Sequence, residues 1–163
     1  MVVKLSQDNQ DLIKKFGATP ISKLSETPDF YTFNNSLMAS HRDFDKFFSA
    51  LKKQEKCAIL SGVNASGTLH LGHKAVFDTN LFFQKKYKIP VYIPISDDES
   101  YVAGKVKDQK QALKNSKRLA KELIAYGFEP KNTFFIIDQI YTNIYNLAIK
   151  LSIYLTFSID NIC

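Results

Sequence analysis

The sequence predicts an α/β protein organised on a parallel sheet, and three observations carry the prediction. Three apolar runs, at residues 57–60, 89–95 and 133–137, have the length and composition of strands. Each is followed by a segment whose apolar residues recur at helical spacing. Strands that alternate with helices pair in parallel through right-handed crossovers, so the expected architecture is a Rossmann-like sheet with flanking helices.

The 163 residues, 45% of them hydrophobic, are one domain's worth of chain with material for a real core. No run approaches the roughly 18–20 apolar residues of a membrane helix, and polar residues arrive by Ser6, where a secretory signal needs an apolar stretch. A cytoplasmic protein is expected. The two cysteines, Cys57 and the terminal Cys163, offer no disulfide framework, and Cys57 reads as a small core residue. The net charge of +6 is spread along the chain, with clusters at Lys52-Lys53, Lys85-Lys86 and Lys117-Arg118. It permits a nucleic-acid partner and suits solvated helix faces equally well.

Residues 1–55 read as an N-terminal extension packed on the core. A short amphipathic helix presents Leu12, Ile13 and Phe16 on one face and is stopped by Gly17 and Pro20. A loop-rich segment follows. His41-Arg42-Asp43-Phe44-Asp45 then opens a helix with the apolar face Phe44, Phe47, Phe48 and Leu51, and with Asp43 and Asp45 near the positive end of its dipole.

Residues 57–73 carry the chemistry. Cys57, Ala58, Ile59 and Leu60 are apolar on both faces, which suits an internal strand covered by helices. Ser61, Gly62, Asn64, Ala65, Ser66 and Gly67 then let backbone amides approach a ligand closely. Helical spacing resumes with Leu71, Ala75, Thr79 and Phe82, so Ser66 or Thr68 is the expected N-cap, and His70 and His73 share one face of the first turn. Two imidazoles beside free amides at the positive end of a helix make an anion site, with a phosphate chain as the natural guest. No third ligand of suitable kind stands near them, so no metal site is expected there.

This helix ends near Tyr87. Pro90 and Pro94 in the second strand argue for a sheet edge or for the ends of pairing. The strand runs into Ser96-Asp97-Asp98-Glu99-Ser100, at the carboxyl edge where open α/β sheets bind ligands, so three carboxylates border the same crevice as His70. One suits the ammonium of an amino acid or a phosphate-bound Mg²⁺, and capping of the next helix is the alternative role for Asp97 and Asp98. Residues 107–126 form a long helix with the inner stripe Ala112, Leu113, Ser116, Ala120, Leu123 and Ile124, a lysine-rich outer face and a stop at Gly127. The third strand ends at Asp138, and a last amphipathic helix carries Ile140, Ile144, Leu147, Ala148 and Leu151.

His70-Leu71-Gly72-His73, preceded by Ala65-Ser66-Gly67 at the end of a strand, resembles the HIGH signature of class I aminoacyl-tRNA synthetases. Lys15-Phe16-Gly17, the run at 41–45 and the run at 96–100 resemble, in that order, the tryptophanyl-tRNA synthetases of archaeal and eukaryotic type. The resemblance implies that His70 and His73 contact the ATP phosphates and stabilise the transition state of adenylation, while Gly72 lets adenine lie against the helix. Asn64, Ser66 and Gly67 complete the ATP side. Glu99 meets the substrate's α-amino group. Gly62, Leu60 and Pro94 border the amino acid, the last two at places where a tyrosine and a glutamine of the family help recognise the indole.

The substrates so implied are ATP with Mg²⁺, tryptophan and tRNA, and the intact family is homodimeric. Lys114-Asn115-Ser116-Lys117-Arg118 is superficially similar to the second class I signature, KMSKS, but it lies within a helix and precedes a strand, so it reads as a solvated face. By resemblance, residues 56–163 are the first half of the catalytic domain, without the KMSKS loop or the anticodon-binding domain. Efficient activation of tryptophan by these residues alone is not expected. The alternatives are a tyrosyl or other class I synthetase and a non-catalytic nucleotide-binding or interaction module derived from one.

Overall fold

β-Branched residues at 91, 93 and 95 build the centre of the sheet, and the elements around it follow the apolar periodicity. The computed structural model describes residues 13, 15–35 and 37–154; Leu12 of the expected first helix and residues 155–163 lie outside them. The described chain runs through β1 (Thr19–Pro20), α1 (Tyr31–Asn34), β2 (Ser40–His41), α2 (Phe44–Lys52), β3 (Ile59–Leu60) and β4 (Val63–Asn64). It continues through α3 (Leu71–Tyr87), β5 (Val91–Ser96), α4 (Asp97–Val102), α5 (Gln109–Tyr126), β6 (Thr133–Ile137) and α6 (Asn143–Ser152). β1 and β2 form a small antiparallel pair. The main sheet is parallel: β3 and β4 both lie along one side of β5, and β6 lies along the other.

β5 is therefore the central strand, so of the two readings its prolines allow, a sheet edge or the ends of pairing, the second holds at Pro94. The register explains why Pro94 is tolerated. Ile59 and Ser61 donate to the carbonyls of Pro90 and Tyr92, so the even-numbered residues of β5 turn their polar groups toward the first strand. The one donor that Pro94 lacks would aim at the carbonyl of Ser61, and there the ladder breaks between β3 and β4. Proline in a central strand is accommodated by an interruption in its neighbour.

α3 and α5 cover one face of this sheet. Val91, Ile93 and Ile95 are fully buried there against Val63, Ala65, Phe77, Leu119, Leu123 and Phe128. Gln84 is buried beside them with its amide satisfied, donating to Asn132 O at 3.0 Å and Thr133 Oγ1 at 2.9 Å and accepting from Glu129 N at 3.0 Å. On the other face Leu60, Tyr92 and Phe134 stand in one row across three strands, exposed by 73%, 37% and 46%. The first strand is thus not buried on both faces as its apolar run suggests. Among the described residues, nothing covers that row.

Residues 21–51 pack on the far side of α3 through a second cluster, in which Phe33, Phe48 and Leu51 meet Phe83 and Ile89. Asp78 of α3 ties this region down, accepting from the hydroxyls of Tyr31 and Tyr126 and from Lys74 Nζ at 2.6 Å. α6 departs from expectation. It begins after Ile140, none of its residues is buried, and Leu147, Ile149 and Leu151 face outward. Among the described residues, no helix is long and apolar enough to cross a membrane.

Candidate active site

The first turn of α3 is closed by its own histidines rather than by Ser66 or Thr68. His70 is the N-cap in extended conformation, and its Nδ1 accepts from the amide of Gly72 at 3.1 Å. His73 Nδ1 accepts in return from the amide of His70 at 3.2 Å, completing a capping box made of two imidazoles whose ring centroids are 3.9 Å apart. An imidazole nitrogen that accepts carries no proton, so in both rings the proton sits on Nε2. Burial, together with the neighbouring His70, holds the His73 ring below its ordinary pKa and so in this neutral form. The turn thus presents two Nε2–H donors at the positive end of a 17-residue helix, with the amides of His70, Gly72 and His73 already taken up inside the turn.

Gly72 has a local reason to be glycine. A Cβ there would come within 2.9 Å of His70 Cε1 and 3.0 Å of Nδ1, so a side chain would displace the capping ring. The preceding loop is braced from α5. Asn115 Nδ2 donates to Ala65 O at 2.9 Å, and Leu69 N donates to Glu122 Oε2 at 3.3 Å. Asn64 accepts from the hydroxyl of Ser100, which joins the loop to α4. Ser66 is exposed, and Gly67 opens onto free space.

The amino-acid-side residues fall into two groups. Leu60 and Pro94 point to the same, open face of the sheet, while Gly62 lies at the break between β3 and β4, with Pro94 O 3.6 Å from where its Cβ would be. Glu99 lies exposed on α4. Asp97 does not cap α4. It is fully buried and accepts from Gln139 N at 3.2 Å and Nε2 at 2.8 Å, which ties the end of β5 to the end of β6. Asp98 accepts from the amide of Glu99 at 2.6 Å and from Tyr145 OH at 3.0 Å.

Asp138, read from the sequence only as the end of a strand, belongs to this group. Asp97, Asp98 and Asp138 each offer an oxygen within 4.8 Å of the others. Burial, then Asp98, then Asp97 and Glu99 push the Asp138 carboxyl up to about 7. Its position one residue past a strand's carboxyl end was the available signal. Asn115, Glu122, Gln139 and Tyr145 had none, since each acts through a partner 42 or more residues away.

Residues 52–162 match the family of class I tRNA synthetases, W and Y. The chain belongs to that family. Within it, the chain is 30% identical over 165 residues to the tryptophan–tRNA ligase of Thermococcus kodakarensis, covering 93% of this chain and 41% of that one. It is 32% identical over 154 residues to the enzyme of Methanocaldococcus jannaschii, covering 89% and 40%. The solved tryptophanyl-tRNA synthetase of Giardia lamblia superposes with a TM-score of 0.77 at 27% identity, over 96% of this chain and 43% of that one. The chain thus spans about two-fifths of the length of these relatives.

As in the class I nucleotide fold, the histidine turn and the carboxylate group stand at the carboxyl edge of one parallel sheet. Lys114 to Arg118 lie inside α5, with Asn115 and Ser116 buried, which is a helix interior and not a mobile signature loop.

Proposed function

We propose that this chain supplies the ATP-phosphate side and part of the amino-acid side of a tryptophan–tRNA ligase site, with residues 56–163 as the nucleotide-binding half and 1–55 as an extension bracing it. The observation that supports this reading best is the mutual cap of His70 and His73. It leaves the Nε2–H of each ring as a donor at the positive end of a helix, which suits a polyphosphate. Asn64, Ser66, Gly67 and Gly72 line the ATP side. Glu99 receives the α-ammonium, and Leu60, Gly62 and Pro94 border the side chain.

The carboxylate of tryptophan attacks the α-phosphorus of ATP in line and pyrophosphate leaves, giving the aminoacyl-adenylate; the 3′ hydroxyl of tRNA then attacks its carbonyl carbon, losing its proton as AMP leaves. The Nε2–H donors stabilise charge that grows on the phosphate oxygens, and no enzyme nucleophile is required. Mg²⁺ enters with ATP as part of the substrate and neutralises phosphate charge. In this reading the assembled protein is a cytoplasmic homodimer.

Leu60 and Pro94 offer no partner to an indole N–H, so recognition here rests on shape and apolar contact, which separate similar side chains only modestly. The test is thermal melting of the purified chain with ATP and either tryptophan or tyrosine. Tryptophan at about 100 times its Kd should add about 2.7 kcal/mol, or roughly 5–10 °C in Tm, and tyrosine should add less. A larger shift with tyrosine would move the reading to a tyrosyl enzyme. Tryptophan-dependent ATP–pyrophosphate exchange by the chain alone should be weak, and brisk exchange would contradict the half-site reading.

A further inference from the structure

α5 is amphipathic in an unusually one-sided way. Its buried residues Ala112, Asn115, Ser116, Leu119 and Leu123 occupy one side, and Lys110, Lys114, Lys117 and Lys121 fall within an arc of about 60° centred opposite them. All four lysines are exposed, and among the described residues none has a carboxylate within 4.0 Å. The nearest cation on the helix that is paired, Arg118, lies beside the stripe and is held by Glu122 at 3.5 Å. Exposed Lys105 and Lys107 precede the helix.

The stripe also has a direction. Gln139, one residue past Asp138, donates to Gln109 O at 3.1 Å and to Asp97, so the first turn of α5 is fastened to the carboxyl edge of the sheet. From there the stripe runs to Lys121, about 18 Å along the helix axis. Asn115 and Glu122 meanwhile hold the loop that leads to His70. A chain of phosphates lying along the stripe would have one end at the crevice.

We propose that the solvent face of α5, through Lys110, Lys114, Lys117 and Lys121, is a docking stripe for the phosphate backbone of an RNA, and specifically of the tRNA named in the proposed function, on which this inference rests. The residue types favour that partner. A bilayer needs a free apolar face, and the apolar face of α5 is spent in the core. A protein interface centres on aromatic and arginine anchors with lysine depleted, whereas this arc holds only lysine. A row of unpaired cations fits a polyanion, which it binds by displacing counterions.

The experiment measures binding of a tRNATrp transcript to the full chain by fluorescence anisotropy across a salt series. The variant K110Q/K114Q/K117Q/K121Q should weaken binding at least tenfold at about 100 mM salt, and should lower the slope of log K against log salt by about 3. Glutamine keeps helix propensity, so the circular dichroism and the ATP–tryptophan melting shift should not change. The four-lysine-to-arginine variant should bind like the parent. K23Q/K53Q/K56Q/K131Q, which removes the same charge from exposed lysines elsewhere, should change binding less than twofold.

Unchanged affinity and slope in the α5 variant would overturn the proposal, as would an equal loss in the control set or a chain that binds no tRNA. Loss of binding to phosphatidylserine vesicles without any effect on tRNA would overturn it in favour of a membrane. Absence of any ATP–tryptophan melting shift in the parent is a separate result, which would sink the underlying functional reading.

Discussion

The two faces of the sheet are made from the same strands and could hardly differ more. One face buries Val91, Ile93 and Ile95 completely under α3 and α5, and the other leaves Leu60, Tyr92 and Phe134 in an open row. Apolar character is similar on both, so composition does not tell them apart. What differs is whether a helix crosses over. Stability in this chain should reside on the covered face, while the open face and the carboxyl edge are free to carry recognition.

The largest test of that contrast is Phe77→Ala. Phe77 is buried between the sheet and Phe128, so truncation should cost about 3–5 kcal/mol in urea unfolding. If Phe134→Ala, on the open face, costs as much, the contrast fails; it should stay within about 0.5–1 kcal/mol.

The histidine turn should separate function from stability in the same way. Replacing His70 by Ala removes the N-cap and should cost about 1 kcal/mol, whereas His70→Asn keeps a capping oxygen and should cost less. Both should abolish the ATP-dependent melting shift, because both lose the Nε2–H donor. Gly72→Ala should fail to give the gain of about 1 kcal/mol that alanine brings in an ordinary helix, because its Cβ meets the His70 ring. Unfolding midpoints and ATP-induced shifts on the same three variants check this.

A separate set of effects is in pH. Asp138 holds its proton up to about 7 against an ordinary 3.8, so the folded state binds more protons in that window and stability falls as pH rises from about 4 to 7. His73 is shifted down, so the unfolded state binds more protons just below 6.5 and stability falls as pH drops there. The two slopes oppose each other. Asp138→Asn should leave only the histidine slope, seen as melting temperatures that no longer decline toward pH 7.

Much of this architecture could be read locally. The 3.6-residue spacing after Thr68 places α3, and Gly127, in left-handed conformation, ends α5. What escaped was set by partners distant in sequence. Pro94 is compatible with an edge or with an end of pairing, and the choice between them lies at Ser61, in a neighbouring segment. Asp138 looked like a strand end because the carboxylates that raise its pKa come from α4. Leu60 looked buried because an apolar run does not say which of its faces a helix will cover. The sequence marks His70 as a candidate ligand but not as a cap, since imidazole is not among the usual N-cap side chains.

The mutual histidine cap has a consequence for how this turn responds to acid. Protonating His73 strengthens its attraction to phosphate but turns its Nδ1 from acceptor to donor, setting it against the His70 amide it had satisfied. Charge attraction and architecture therefore pull in opposite directions. Phosphate affinity should pass through an optimum and then decline on acidification, and the turn behaves as a detector tuned to the neutral state of His73.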